Sequence, residues 1–193
     1  MSIPPLPQLV FRSLTPARWP DFETLMGPSG AYGGCWCMFW RLKSSEFSLG
    51  GVSNKRAMRS LVKGGTTPGL LAYAAGEPVG WVSVAPREEF GRVMRSPKLK
   101  PIDGRRTWAV NCFFVTRPFR RAGMMTELLK AAAAYARRRG AELVEGYPIE
   151  PRHDSIPPMY VYTGAAAAFR RAGFRKVRKK VDGRLVSRYV LVL

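Results

Sequence analysis

The stretch Val115-Thr116-Arg117-Pro118-Phe119-Arg120-Arg121-Ala122-Gly123-Met124-Met125 decides the fold of this chain. The apolar run from Trp108 to Val115 predicts a buried strand before it, and residues 124–139 predict a helix that Gly140 ends. The stretch is therefore a strand-to-helix turn that contains a glycine and two adjacent arginines. Such a turn directs free backbone N–H groups and the positive end of the helix dipole to one place, so it predicts an anion site that suits a phosphate.

Other predicted elements surround this turn in the order β-α-α-β-β-β-α-β-α-β-β, in which only the middle β-α-β unit needs parallel strands. Ser53 is the predicted N-cap of the second helix, residues 86–106 predict a long loop, and Asp182-Gly183 predicts a hairpin turn. We therefore expect an α/β (α+β) fold, a mixed and mostly antiparallel sheet with helices on both faces. The predicted strands cover residues 9–14, 70–75, 79–85, 108–115, 142–149, 174–181 and 185–193, and the predicted helices cover residues 15–26, 54–63, 124–139 and 162–171.

The length of 193 residues favours a single domain over residues 1–193, with residues 1–7 as an extended N-terminal segment. No apolar run reaches the roughly 18 residues that span a bilayer, so we expect no membrane segment. The first residues lack the basic and apolar regions of a secretory signal. Three cysteines are an odd number and argue against a disulfide scaffold, so we expect a cytoplasmic protein.

The formal net charge of +19 predicts an anionic partner, which is nucleic acid, an anionic lipid headgroup or a phosphorylated cofactor. Residues 170–193 hold nine Lys/Arg against one Asp, and residues 104–126 hold five Arg and no carboxylate. The chain has no low-complexity tail, which argues against a disordered nucleic-acid-binding arm.

Arg120-Arg121-Ala122-Gly123-Met124-Met125 resembles the acyl-CoA signature of the GNAT superfamily of N-acetyltransferases, whose usual pattern is Arg or Gln, two residues, Gly, one residue, then Gly or Ala. Tyr162-Thr163-Gly164, Phe169 and Gly173-Phe174 are similar to the later helix and the closing Gly-Phe of that family. The order of predicted elements resembles the family fold over residues 8–193. The resemblance implies transfer of an acetyl group from acetyl-CoA to an amine.

The resemblance also assigns residues to the acyl donor. It implies that backbone N–H groups in the turn hold the pyrophosphate, that the end of the central strand follows the pantetheine arm at a splay between two strands, and that one phenylalanine lines the CoA channel. The residues implied are Phe113, Phe114, Val115, Arg120, Arg121, Ala122, Gly123, Met124, Met125 and Phe169.

Three positions depart from the family pattern. Met125 replaces the usual Gly or Ala. Phe169 stands four residues before the closing glycine, where many members carry a tyrosine that protonates the departing thiolate. Ala109 stands six residues before Val115, where members with a glutamate base place it. Since positioning alone lowers the barrier to acyl transfer, these departures leave catalysis open and the acid and base unassigned.

The candidates for proton transfer are Glu145, Tyr160 and Tyr162. Glu145 is a possible base, directly or through a water, although a solvated or arginine-paired glutamate is the simpler interpretation. Either tyrosine is a possible acid, although both also fit a packing role. Cys112 on the central strand could form an acyl-thiol, but its apolar neighbours favour a buried, inert thiol.

Cys35 and Cys37 could bind a metal together with Cys112 and the only histidine, His153. Their one-residue spacing is shorter than usual for zinc, and the set has no spare ligand, so we expect reduced cysteines and no metal.

The aromatic loop from Tyr32 to Trp40 follows the first predicted helix. In GNAT-like proteins this region borders the acceptor site, so the resemblance implies that Trp36, Phe39 and Trp40 form an apolar acceptor pocket. The alternative, that these rings cover the core, is left open.

The positive charge around the turn repels polycations, so we expect a small-molecule amine that is neutral overall or carries a carboxylate or phosphate.

A second hypothesis is a basic module of the same fold that binds nucleic acid or CoA without acetyltransferase activity. The charge of +19 and Phe169 in place of tyrosine keep it open. Against it, the aromatic residues cluster in one loop and do not alternate with the basic residues of the last hairpin. The sequence is compatible with a monomer or a homodimer.

Overall fold

The computed structural model describes residues 6–150, 161–181 and 184–193, with the backbone alone for 179–181 and 184–187. Seven described strands form one open sheet in the spatial order β1-β2-β3-β4-β5-β7-β6. Only β4 and β5 pair in parallel, so the sheet is mixed and mostly antiparallel, as predicted. The strands are Leu9–Ser13 (β1), Gly69–Ala74 (β2), Glu77–Pro86 (β3), Thr107–Val115 (β4), Leu143–Gly146 (β5), Arg175–Val181 (β6) and Arg184–Val192 (β7).

Helices cover both faces of the sheet, because alternate residues of the central strands are apolar in both directions. The described helices are Trp19–Met26 (α1), Ser44–Phe47 (α2), Gly51–Lys63 (α3), Gly91–Arg95 (α4), Met124–Arg138 (α5) and Ala166–Arg171 (α6). Phe113 packs in the core cluster that contains residues of α5 and α6, whereas Cys112 packs in the cluster that contains residues of α1 and α3. None of the described helices combines the length and the apolar character needed to cross a membrane.

The predicted long loop over residues 86–106 is partly helical, which corrects the sequence interpretation. A 3-10 turn covers Arg87–Glu89, and α4 follows it directly. Phe90 and Val93 are fully buried in a third, small core cluster together with Ala109 of β4. Burial of these two apolar side chains stabilises a helix of five residues that would not form in isolation.

Two further boundaries differ from the prediction. Helix α3 begins after Gly50, so Ser53 lies within the helix and is not its N-cap. Strand β5 is shorter than predicted and α6 begins later, so Tyr162 lies in a turn before the helix. The predicted turn at Asp182-Gly183 and most of the N-terminal segment 1–7 lie outside the described residues.

A β-bulge in β4 lies where β4 and β5 separate. This separation is the splay that the resemblance implied for the pantetheine arm. Ser83 of β3 pairs with Cys112, but the next residue, Val84, pairs with Val110, so Asn111 has no opposite residue on β3. The parallel pairing of β4 with β5 ends at the same level, with Val110 opposite Gly146. Beyond this level β4 and β5 separate, as a bulge that bends one strand allows.

Candidate active site

The turn before α5 (the α5 turn, residues 120–125) has the backbone of an anion site. Arg121 and Gly123 both adopt left-handed conformations, with φ of 65° and 91°, and Gly123 is the N-cap of the helix. No described atom lies within 4 Å of a Cβ built on Gly123, so the space in front of the helix is open. The N–H groups of Met124 and Met125 have no hydrogen-bond partner in the described part of the chain, whereas that of Thr126 donates to the carbonyl oxygen of Gly123 at 2.9 Å. Two free donors therefore lie at the positive end of the helix dipole.

Three arginines and the hydroxyl group of a threonine lie in or next to the α5 turn. Arg117, Arg120 and Arg121 are exposed, and Arg120 Nε donates to the carbonyl oxygen of Val115 at 2.9 Å, which holds this arginine against the end of β4. Thr126 in the first turn of α5 is buried, and its Oγ1 has no hydrogen-bond partner in the described part of the chain. The α5 turn therefore combines backbone donors, a helix dipole and arginines.

Met125, the residue that departs from the signature, points away from the open space. Its Sδ accepts a hydrogen bond from the N–H of Ala165 at 3.2 Å, and its side chain packs against the core beside α5. The larger side chain thus joins α5 to the segment before α6 and leaves the space in front of Gly123 open.

The splay between β4 and β5 is bridged by the turn that contains Tyr162. The N–H of Phe113 donates to the carbonyl oxygen of Tyr162 at 2.7 Å, and the Phe113 side chain is buried. This N–H is therefore occupied within the protein, which argues against the predicted contact of Phe113 with pantetheine. Phe114 and Val115 are half-buried and lie further toward the α5 turn.

Phe169 is fully buried and forms the floor of this region. Its ring lies 6.1 Å from that of Phe113, and a Cβ on Gly146 or Gly164 would come within 2.2 or 2.6 Å of it. Both glycines are thus needed where the backbone meets the ring. Since no part of Phe169 reaches the surface, this packing argues against the predicted role in lining the CoA channel.

The aromatic loop divides into two parts. Trp36 is buried, with its ring 6.3 Å from that of Trp19 and 6.1 Å from that of Phe22. Trp36 therefore covers the core, which was the open alternative, and the packing argues against a place in the acceptor pocket. Phe39 and Trp40 are half-buried and face the splay.

Four rings form a continuous surface at the splay, which we call the aromatic wall. The ring of Phe39 lies 5.5 Å from that of Trp40 and 6.2 Å from that of Tyr162, and Trp40 lies 5.9 Å from Tyr147. The aromatic wall therefore consists of Phe39, Trp40, Tyr147 and Tyr162, contributed by three separate segments. Tyr147 was not predicted.

Glu145 is enclosed in a buried ion-pair network. Its side chain is 1% exposed, Oε1 accepts from Arg87 Nε at 2.8 Å and from the Tyr147 hydroxyl, and Oε2 accepts from Arg188 Nη1 at 2.5 Å. Two guanidinium groups stabilise the carboxylate and occupy both of its oxygens. This arrangement argues against the predicted base and assigns Glu145 a structural role.

Of the two candidate acids, Tyr160 and Tyr162, the structure describes only Tyr162. Tyr162 is half-buried in the aromatic wall, and burial raises its pKa, so its hydroxyl stays protonated at neutral pH. Burial, followed by the charge of Glu145, raises the pKa of Tyr147 well above its usual value. Tyr160 lies outside the described residues.

The cysteines are packed as thiols. Cys37 and Cys112 are buried with their Sγ atoms 2.9 Å apart, and this contact together with burial raises the pKa of Cys112 well above its usual value. Burial raises the pKa of Cys35 to about 11. A protonated thiol is a poor nucleophile, which argues against an acyl-thiol at Cys112. Within the described ranges no group of three or more His, Cys, Asp or Glu could hold a metal ion, and His153 lies outside them.

The fold is that of an α/β protein whose central strand meets its central helix at the α5 turn. Residues 36–157 match the family described as the acetyltransferase (GNAT) family, and the chain belongs to it. This membership confirms the family, the N-acetyltransferase class and the acyl donor, acetyl-CoA, that the signature predicted. No curated protein matches the chain in sequence.

Solved structures share the fold at low sequence identity. An aminoglycoside acetyltransferase in complex with coenzyme A and kanamycin matches with a TM-score of 0.55 and 11% identity, covering 96% of this chain and 95% of that one. The polyamine N-acetyltransferase of Drosophila melanogaster matches with a TM-score of 0.54 and 15% identity, covering 96% of this chain and 100% of that one. A GNAT-family acetyltransferase from Streptococcus agalactiae 2603 matches with a TM-score of 0.55 and 13% identity, covering 96% of this chain and 95% of that one. At these identities the likeness shows the fold alone.

Proposed function

We propose that the protein transfers the acetyl group of acetyl-CoA directly to the amine of a small acceptor that is not a polycation. The observation that carries this proposal is the α5 turn, where two left-handed residues open the helix N-terminus beside three exposed arginines. A pyrophosphate matches this combination of backbone N–H groups, positive dipole and guanidinium groups. The Thr126 hydroxyl supplies a further unpaired group in the same helix turn.

The end of β4 is the proposed path of the pantetheine arm. Beyond the bulge β4 leaves β5, so the edge of Phe114 and Val115 faces the splay, and Val115 meets Arg120 of the α5 turn. Acetyl-CoA supplies an activated thioester, and this path would bring the thioester to the level of the aromatic wall. An acceptor on the other side of the splay would then reach it directly.

Tyr162 is the proposed proton donor. When an amine attacks the thioester, the C–S bond breaks and the departing sulfur requires a proton. The carbonyl group of Tyr162 is bonded to β4, which places this residue beside the strand end, and its raised pKa keeps the hydroxyl protonated. Tyr160 is the other predicted donor. Direct transfer needs no acyl-enzyme, and burial raises the pKa of Cys35 and of Cys112, which disfavours either thiolate as a nucleophile.

The proposed acceptor site lies against Phe39 and Trp40. Beside Tyr147 of the aromatic wall lie the buried charges of Arg87, Arg188 and Glu145, which are two positive charges against one negative charge. A low-dielectric region with excess positive charge disfavours an acceptor that carries several ammonium groups. For this reason the polyamine and aminoglycoside substrates named for the structural neighbours are not the substrates proposed here.

A second candidate function is binding of nucleic acid. It is supported by the net charge of +19 and by the exposed side chains of Arg175, Lys176 and Arg178 on β6. However, β6 is an edge strand, and basic side chains there also prevent pairing with other chains. We therefore rank it second.

Thiol release from acetyl-CoA over a panel of amines tests the proposed function. We expect at least one small amine to accelerate thiol release above the amine-free rate. Retention on heparin or mixed RNA at raised salt, measured in parallel, separates the two functions. Salt-resistant retention with no amine-dependent thiol release would favour the binding module.

A further inference from the structure

Three buried nitrogen atoms around the aromatic wall have no hydrogen-bond partner among the described residues. They are Nε1 of Trp40, Nε of Arg92 and Nδ2 of Asn111. Each is a donor and none can accept a hydrogen bond. Unpaired buried atoms occur elsewhere, for example at Trp19 and Trp81 in the core, but only here do several surround a proposed substrate site. A buried donor without a partner costs free energy, so such groups need an explanation.

Two of the residues that carry these donors, Arg92 and Trp40, are in contact. The guanidinium carbon of Arg92 lies 4.2 Å from the centre of the Phe39 ring, and the backbone N–H of Arg92 donates to the carbonyl oxygen of Trp40 at 3.0 Å. Stacking on Phe39 fixes the plane of the guanidinium group while leaving its N–H edge for other partners. Arg92 and Trp40 are therefore fixed next to each other on the aromatic wall.

The third donor reaches the same place from the sheet. Asn111 is the bulged residue of β4 and is 1% exposed. It directly follows Val110, which pairs with Gly146, and Tyr147 of the aromatic wall directly follows Gly146. Because β4 and β5 run parallel, Asn111 and Tyr147 leave the paired region at the same level. Asn111 therefore lies where the two strands separate, beneath the aromatic wall.

The carboxylates packed near this place are already neutralised. Glu145 is bound by Arg87 and Arg188, and Glu89 accepts from Arg41 Nη1 at 2.7 Å. Glu88, which follows Arg87 in the chain, is exposed to solvent. The buried groups left over are thus N–H donors, one of them on a guanidinium group. The ligand that complements them carries oxygen atoms that only accept hydrogen bonds and bears negative charge.

We infer that the acceptor carries an oxyanion next to its amine and that Trp40, Arg92 and Asn111 bind this oxyanion. An amino acid or a close analogue has this chemistry, with its carbon skeleton against Phe39 and Trp40. The inference rests on the proposed function, since it names the acceptor class of the same site. A site for polyamines would differ from this one, because it would need unpaired carboxylates in place of unpaired N–H groups.

The test compares amines that differ only in the oxyanion. Free amino acids, their amides, the matching aminophosphonates and spermidine are assayed by thiol release, and amino acids and amides are also titrated calorimetrically into CoA-loaded protein. We expect the amino acid or the aminophosphonate to exceed the amide and spermidine by about tenfold or more in kcat/KM, because a charged hydrogen bond is lost. The ranking of carboxylate against phosphonate identifies the oxyanion.

Variants then locate the oxyanion. Arg92→Met is expected to lower kcat/KM for the oxyanion substrate about tenfold while changing the amide less than twofold, with the KM for acetyl-CoA unchanged. Arg95→Met, an exposed arginine on the same helix, is the control and should behave as the wild type. Asn111→Asp, which replaces a donor by a negative charge, should raise the KM for the oxyanion substrate, and thermal melting checks that both variants fold.

Three results would overturn the inference, and only the second of them also means that the proposed function fails. If amines are acetylated but the amide or spermidine equals the amino acid, the acceptor class is wrong and acetyl transfer stands. If no amine is acetylated and calorimetry detects no amino acid binding, both fail. Equal losses on amide and oxyanion substrates in Arg92→Met would assign Arg92 a packing role only.

Discussion

The α5 turn and the aromatic wall meet at the end of β4, but they are built from different parts of the chain. The α5 turn is one continuous segment that offers backbone N–H groups and exposed arginines. The aromatic wall is assembled from three separate segments, and behind it lie the buried ion pairs of Glu145. The first region therefore depends on local backbone conformation, whereas the second depends on long-range packing of side chains. Substitutions in the α5 turn should therefore weaken CoA binding, whereas substitutions behind the aromatic wall should lower the free energy of unfolding.

The largest expected effect is on stability behind the aromatic wall. Glu145→Ala leaves Arg87 and Arg188 buried without their counter-charge, so we expect the free energy of unfolding to fall by about 3–5 kcal/mol. Glu142→Ala is the matched control, because Glu142 forms a solvent-exposed pair with Arg106 at 3.3 Å, and its loss should change stability far less. Urea unfolding measures both. Similar losses in the two variants would show that the buried network does not support the wall.

The second expected effect is on the rate of transfer. Tyr162→Phe removes the proposed proton donor but keeps the ring, so we expect kcat to fall about 100-fold with KM values and CoA affinity retained. Because its pKa is raised, protonation of Tyr162 in the wild type should not limit the rate as pH rises from about 7 to 9. Steady-state kinetics measure both points, with Tyr32→Phe, an exposed tyrosine, as the control. An unchanged kcat would assign the proton to Tyr160 or to water.

The smallest expected effect appears in alkaline solution. Burial raises the pKa of Cys35 to about 11, so the folded state holds this proton more tightly than the unfolded state. The resulting stability is fully present below about pH 9 and is lost as pH rises through about 11. Two pKa units correspond to about 2.7 kcal/mol, which the partial exposure of Cys35 reduces to about 2 kcal/mol. Cys35→Ser should lose less stability than the wild type over this range. Tyrosines with raised pKa values affect both proteins equally, so identical pH profiles would contradict the burial of the Cys35 thiol.

The difference between the two regions also explains how much the sequence could predict. Gly123, the helix that follows it and the apolar strand before it are local signals, so the α5 turn and the order of the strands were predicted, whereas the short helices α2 and α4 were not. The partners of Glu145 are 58 and 43 residues away in sequence, and no local pattern connects them. One signal was present: Arg188 shares the buried face of β7 with Val190, and a charge in an apolar phase indicates a buried partner.

The aromatic loop shows a second limit of local reasoning. Trp36, Phe39 and Trp40 are alike in composition, but positive φ angles at Trp36 and Cys37 turn the chain and direct Trp36 into the core. Residues with bulky side chains rarely adopt this conformation, so it follows from packing against Trp19 and Phe22 and not from propensity. Similarly, Phe169 excludes any side chain at Gly146, the last residue of β5, which only the folded structure reveals.

The central claim is that the α5 turn binds the pyrophosphate of acetyl-CoA, and Gly123→Glu tests it most directly. Gly65→Glu is a matched control, because Gly65 has a φ of 86° against 91° for Gly123, and a Cβ at either position meets no described atom within 4 Å. Both variants thus carry the same strain and the same added charge, but only one places that charge at the helix N-terminus. Calorimetric titration with CoA should show wild-type affinity for Gly65→Glu and a loss of about 100-fold or more for Gly123→Glu. Equal affinity of the two variants, with both folded, would contradict the account.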